Sequence, residues 1–150
     1  MSSFYAFLAS LGFAVLFNVP KNRLFYAALA GGIGGAAYSI ALYLGTTETV
    51  SLLYASIFLS LASEIMARIL RCPSTMFLIS ALIPFVPGGG AYYTVLSLIE
   101  KNNDMALYHG LNTITQAGAI VLGCVLVTGA FSMIRSFETA AFKKRCHKDR

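Results

Sequence analysis

The chain has 150 residues, of which 57% are hydrophobic and only 11% charged. A soluble domain carries about a quarter charged residues, so this composition excludes an ordinary soluble enzyme or binding module and points to a membrane protein. The net charge is +5, yet the basic residues fall at the ends of apolar runs. That is a topology pattern and not a nucleic-acid surface.

A helix needs about 20 apolar residues to cross the hydrocarbon core. In chain order the candidate spans are about 2–19, which is short, then 24–44, 50–70, 75–99 and 107–134, followed by a basic tail at 135–150. The opening MSSFYAFLASLGFAVLFNVP lacks the basic start and small-residue cleavage site of a signal peptide, so it reads as a retained span. The connections PKNR, GTTET, RCPS and EKNND are short, which leaves 1–150 as a single transmembrane domain. The expectation is an all-α integral membrane protein with five transmembrane helices, N-terminus outside and C-terminus cytoplasmic.

The positive-inside rule tests that count. Five spans put Lys21, Arg23, Arg68, Arg71, Arg135, Lys143, Lys144, Arg145, Lys148 and Arg150 on one side and leave Lys101 on the other. Dropping the fourth span would separate the basic tail from Arg68 and Arg71. Localisation in the plasma (inner) membrane, as a multi-pass protein, follows as the expectation.

The second span contains LAGGIGGAAYS, and along that span Ala27, Gly31, Gly35 and Ser39 recur every four residues, as do Ala28, Gly32 and Ala36. Small-residue ridges let helices approach closely, so packing is expected there and at Thr115, Ala119 and Gly123. Asn18, before Pro20, should end the first helix. In the third span Ser56, Ser60, Ser63, Glu64 and Arg68 share one helical face. Glu64 is the only acid well inside a span, and such groups usually mark function or a pair. It is either an i,i+4 partner of Arg68 near the cytoplasmic end or a proton-coupling residue.

The fourth span is broken by LIPFVPGGGAYY. Pro84, Pro87, Gly88, Gly89 and Gly90 would cost roughly 9 kcal/mol in an uninterrupted helix, since Pro costs about 3 and Gly about 1. Irregular backbone at membrane depth survives where it lines a cavity or is buried in protein. Discontinuous helices of this kind hold substrates in secondary transporters. The expected half-helices are 75–85 and 91–99, with the amides of Gly89, Gly90 and Ala91 opening the second. Free amides at a helix start suit a carboxylate or phosphate; a turn that only packs against a partner subunit is the other reading.

FNVP, the IPFVPGGG break followed by AYYTVLSLIE, and a Gly-containing last span with a basic tail together resemble the threonine/serine exporter family. More narrowly they are similar to its small YjjB-like subunit, the counterpart of the C-terminal half of fused exporters. The resemblance implies secondary export of threonine and serine or of dicarboxylates such as succinate. It also implies a larger membrane partner subunit. If that partner has a similar odd number of spans, the two halves would form an inverted repeat with substrate between them.

Tyr92 and Tyr93 follow the break and are candidate cavity walls. His109, Asn112, Thr113 and Gln116 share a face of the fifth span; Asn112 and Gln116 are candidate substrate contacts or interhelical glue, and His109 lies near the outer boundary. The substrate site is therefore expected at Pro84, Pro87, Gly88, Gly89, Gly90, Tyr92, Tyr93, Asn112 and Gln116, with Glu64 and Arg68 as coupling residues. No Ser/His/Asp set, paired carboxylates or metal cluster lies within a span, so an enzyme is not expected. No cofactor is implied. Cys72, Cys124 and Cys146 are odd in number and widely spaced, which argues against disulfides and zinc. Cys124 reads as a small packing residue, and Cys146 with His147 as at most a weak metal or lipid-attachment motif. Partners are a small carboxylate-bearing solute, the bilayer, the larger subunit and, through the small-residue faces, a second copy. A non-transporting accessory or scaffolding subunit is the alternative function.

Overall fold

A computed structural model describes the backbone of residues 3–148 and the side chains of residues 3–133. Side chains of the basic tail, with Cys146 and His147, lie outside the described residues. The chain forms α1 (Ser3–Leu16), α2 (Lys21–Tyr43), α3 (Glu48–Ile69), α4 (Thr75–Leu82) continued by a 3₁₀ turn (Ile83–Phe85), α5 (Gly88–Ile99) and α6 (Asn103–Lys148). Helices are what apolar runs must become in lipid, because each backbone donor then finds its acceptor within the segment.

Four of these helices stop in the same way. Asn18, Gly45, Arg71 and Lys101 all have φ between 49° and 81°, the left-handed region. Each is followed by the paired backward bonds of a Schellman motif. After α1, for example, Val19 N–H donates to Ala14 C=O at 3.0 Å and Asn18 N–H to Val15 C=O at 3.0 Å. The short connections thereby satisfy the last carbonyls of α1, α2, α3 and α5. Arg23 adds a side-chain bond, donating from Nη2 to Leu70 C=O at 3.4 Å.

Three helices, Lys21–Tyr43, Glu48–Ile69 and Asn103–Met133, are long and apolar enough to span a bilayer. The bent pair Thr75–Phe85 and Gly88–Ile99, with 46° between its parts, passes the same test when taken together, as a broken span or a re-entrant loop. The expected first span is shorter than the sequence suggested. At 14 residues, α1 is about 21 Å long against a hydrocarbon core of about 30 Å.

The small-residue ridges act as expected in α2. A Cβ on Gly35 would stand 2.7 Å from Ala6 Cβ, and one on Gly31 would collide with Ser10 Oγ, so α1 lies directly on the α2 backbone. On the adjoining face Gly34 admits Leu59 and Phe85. α4 then packs across α1, α2 and α3, placing Phe77, Ala81 and Phe85 in the core. α6 packs on α3, where a Cβ on Gly123 would strike Ser56 Oγ. Ala119 is buried in the same seam, but Thr115 is exposed and donates to Asn112 C=O at 2.8 Å. The seam faces α3, and Thr115 lies around the helix from it.

α5 is different. Its one substantial neighbour is α6, and Ser97 is its only buried residue. The membrane-length part of α6 is 17% buried, against 50% for α3.

Candidate functional site

The break occupies the centre of the bent span. Pro84 sits in the 3₁₀ turn, and Pro87 is the residue before α5. α5 starts at Gly88, not at residue 91 as the sequence suggested. The three glycines thus form its first turn, where donors lack intrahelical partners in any case and helix propensity matters least. Gly88 N–H donates to Val86 C=O at 2.7 Å and Ala91 N–H to Pro87 C=O at 3.3 Å. No side chain caps this start. Among the described residues the amides of Gly89 and Gly90 therefore remain unpaired.

The glycines are not equivalent. A Cβ would meet nothing within 4 Å at Gly88 or Gly89, whereas at Gly90 it would strike Thr113 Oγ1 on α6. Gly90 lets α5 touch α6, and Gly88 and Gly89 leave backbone open. Two hydroxyls around that contact are satisfied locally: Thr94 donates to Gly90 C=O and Thr113 to His109 C=O, both at 2.7 Å. An aromatic row runs beside the break, with ring centroids 5.4 Å apart for Tyr92 and Tyr93, 5.7 Å for Tyr93 and His109, and 5.5 Å for His109 and Tyr108. Tyr92, Tyr93 and Asn112 are exposed. The side of the break they occupy has no wall among the described residues.

Gln116 is placed elsewhere. It is 7% exposed, and its Nε2 donates to Glu48 Oε2 on α3 at 3.2 Å, so its amide is engaged with α3 and not offered at the break. Glu48 also lies against the hydroxyl of buried Tyr38 on α2. This junction of three helices was not visible in the sequence, where Glu48 lies in the short connection GTTET. The contact also reveals an offset. Glu48 is the first residue of α3, whereas Gln116 is thirteen residues into α6, so α6 begins about 20 Å beyond the start of α3. The α5–α6 hairpin projects past the α2–α3 turn, which lies at the foot of a step.

Further along α3, Ser56, Ser60 and Ser63 are buried, and their hydroxyls bond to Leu53 C=O, Cys124 Sγ and Leu59 C=O. They behave as small packing residues. Glu64 and Arg68 form no ion pair with each other, despite their spacing. The Arg68 guanidinium instead lies 4.5 Å from the Phe131 ring centroid on α6. Both residues line a cleft of about 750 Å³ between α3, the start of α4 and α6.

A family model described as threonine/serine exporter, ThrE, matches residues 2–130. The chain belongs to that family. A similar protein is an uncharacterized protein of Haemophilus influenzae, 27% identical over 131 residues, with 81% of this chain and 44% of that protein covered. The chain thus spans less than half the length of that relative. No solved structure matches it. The threonine/serine exporter family is one of membrane transporters and not a class of enzymes, in keeping with the apolar helices of a multi-pass protein.

Proposed function

We propose that this chain is a subunit of a secondary active exporter of small carboxylate-bearing solutes, working with a larger membrane subunit of the same family. The observation that carries this reading is the broken span. Two unpaired amides, on Gly89 and Gly90, open a helix beside Tyr92, Tyr93 and Asn112. Such a helix start attracts a carboxylate through its N–H groups and partial positive charge. The substrates in view are threonine and serine or dicarboxylates such as succinate, all of which carry that group. The exposed side of α5 supports a second wall supplied by another chain, or by the part of a longer protein that this chain does not cover.

On this reading α1 completes a five-span topology, N-terminus outside and basic tail in the cytoplasm, in the plasma membrane. Because α1 is short, it spans with local thinning of the bilayer or with help from the partner. A second copy of the chain is the other candidate for the missing wall. An accessory, non-transporting subunit is the competing reading, favoured by how much of α5 and α6 is left for contact.

The deciding experiment is efflux from preloaded proteoliposomes, with and without the larger subunit, comparing labelled threonine with succinate. Efflux that needs both chains supports the exporter, and the preferred label names its substrate. Failure of both labels in a folded complex supports the accessory role.

A further inference from the structure

The cleft at the end of α3 is lined by charged and polar side chains, and the carboxylate site at the break makes no use of it. Glu64, Arg68 and Arg71 come to it from α3 and the turn that follows, Thr75 from the start of α4, and Thr128 and Phe131 from α6. Its volume of about 750 Å³ lies within the range of small-molecule sites. We propose that this cleft binds a zwitterionic α-amino acid, with Arg68 and Arg71 on the carboxylate and Glu64 on the ammonium group.

Three observations support this. First, the cleft brings both signs of charge together, and Glu64 forms no ion pair with either arginine among the described residues. Second, the guanidinium carbon of Arg68 lies over the Phe131 ring, 4.5 Å from its centroid, a cation–π contact that anchors the cation and leaves N–H donors for a carboxylate. Third, Arg71 is exposed just past the end of α3, at φ 49°, so it can reach the same anion from the rim. The acid opposite decides selectivity. A second carboxylate, as on succinate, would meet like charge at Glu64, whereas an ammonium group would be paired there. Glu64 is thus assigned to recognition of the ammonium group.

The proposal rests on the transport reading for what brings amino acids to this membrane, but it is tested by binding alone. Cys72 is a free, half-buried thiol lining the same cleft. The experiment follows alkylation of Cys72 by N-ethylmaleimide, by peptide mass spectrometry, on the full chain in phosphatidylcholine nanodiscs. L-Threonine should slow the reaction saturably and succinate should not. Loss of one charge-assisted contact weakens binding by about tenfold or more, so Glu64→Gln and Arg71→Gln should each raise the threonine concentration needed by that factor. Binding of tritiated L-threonine to the same discs provides a readout independent of the thiol.

Equal protection by threonine and succinate, or protection and binding by neither, overturns the proposal. So does protection that appears on adding phosphatidylethanolamine and is not increased by threonine, because the zwitterion would then be a lipid headgroup. Efflux without Cys72 protection would sink this site and leave the exporter standing. Protection without efflux would do the reverse.

Discussion

The helices α1 to α4 and the α5–α6 hairpin handle their surfaces in opposite ways. In the first region glycines and serines remove side-chain bulk so that backbones touch: Gly35 on Ala6, Gly31 on Ser10, Gly34 on Leu59. In the hairpin, two of the three glycines at the break touch nothing, and the aromatic row beside them is exposed. Glycine thus has two uses in one chain, close approach in α2 and open backbone in α5. One region completes its packing internally, and the other leaves a face to be covered.

The largest expected effect attacks the packed region. Gly35→Val puts two further methyl groups where a Cβ is already 2.7 Å from Ala6 Cβ and 3.2 Å from Ser3 Cα. Neither neighbour can rotate away. The loss should be about 1–3 kcal/mol or more, read as a lower unfolding temperature in detergent. If Gly35→Val leaves stability unchanged, α1 is not held as described.

Next is the open region. Gly89→Leu has room for its side chain, so stability should be unchanged while efflux falls. Covering an amide that bonds a carboxylate forfeits about 1.5–3 kcal/mol, or roughly ten- to hundredfold in binding. Unchanged efflux with weakened assembly would favour the accessory subunit. Gly90→Ala should instead cost stability, and Thr113→Ala should relieve that cost in the double variant, because the clash is with the Thr113 side chain.

A smaller effect is expected where the two regions meet. Gln116→Leu removes the bond to Glu48 and should cost about 0.6–1 kcal/mol, the range of interhelical bonds in membranes. Glu48→Gln keeps an acceptor for that bond and should cost less. If the two substitutions cost the same, the charge and not the hydrogen bond holds the step.

The smallest change should be stabilising. Lys101 occupies a left-handed position at φ 58°, so Lys101→Gly should gain about 0.5 kcal/mol, as relief of the side-chain penalty outweighs the entropy glycine adds to the unfolded chain. Chemical denaturation in micelles would resolve it.

Much of this was readable in advance because its causes are local. Apolar runs of membrane length become helices, Asn18 ends α1, and Pro84 and Pro87 with three glycines break the fourth span wherever they are placed. The start of α5 was misjudged by three residues because glycine is penalised inside helices but not in a first turn whose donors are unpaired anyway. The spacing of Glu64 and Arg68 permitted an ion pair, but spacing could not reveal that Phe131 would take the guanidinium. Gln116 shared a face with Asn112 on paper, yet one is buried against Glu48 and the other exposed.

The sequence by itself determined an all-helical membrane protein, its break and its small-residue faces, because lipid leaves the backbone no other choice and glycine spacing repeats with the helix. Tertiary structure alone decided which helices meet and at what height. It set α6 about 20 Å beyond the start of α3, lodged Gln116 on Glu48, and gathered Glu64, Arg68 and Arg71 around one cleft. Periodicity records which face of a helix a residue occupies, but not which neighbour arrives there or how far that neighbour has slid along the axis.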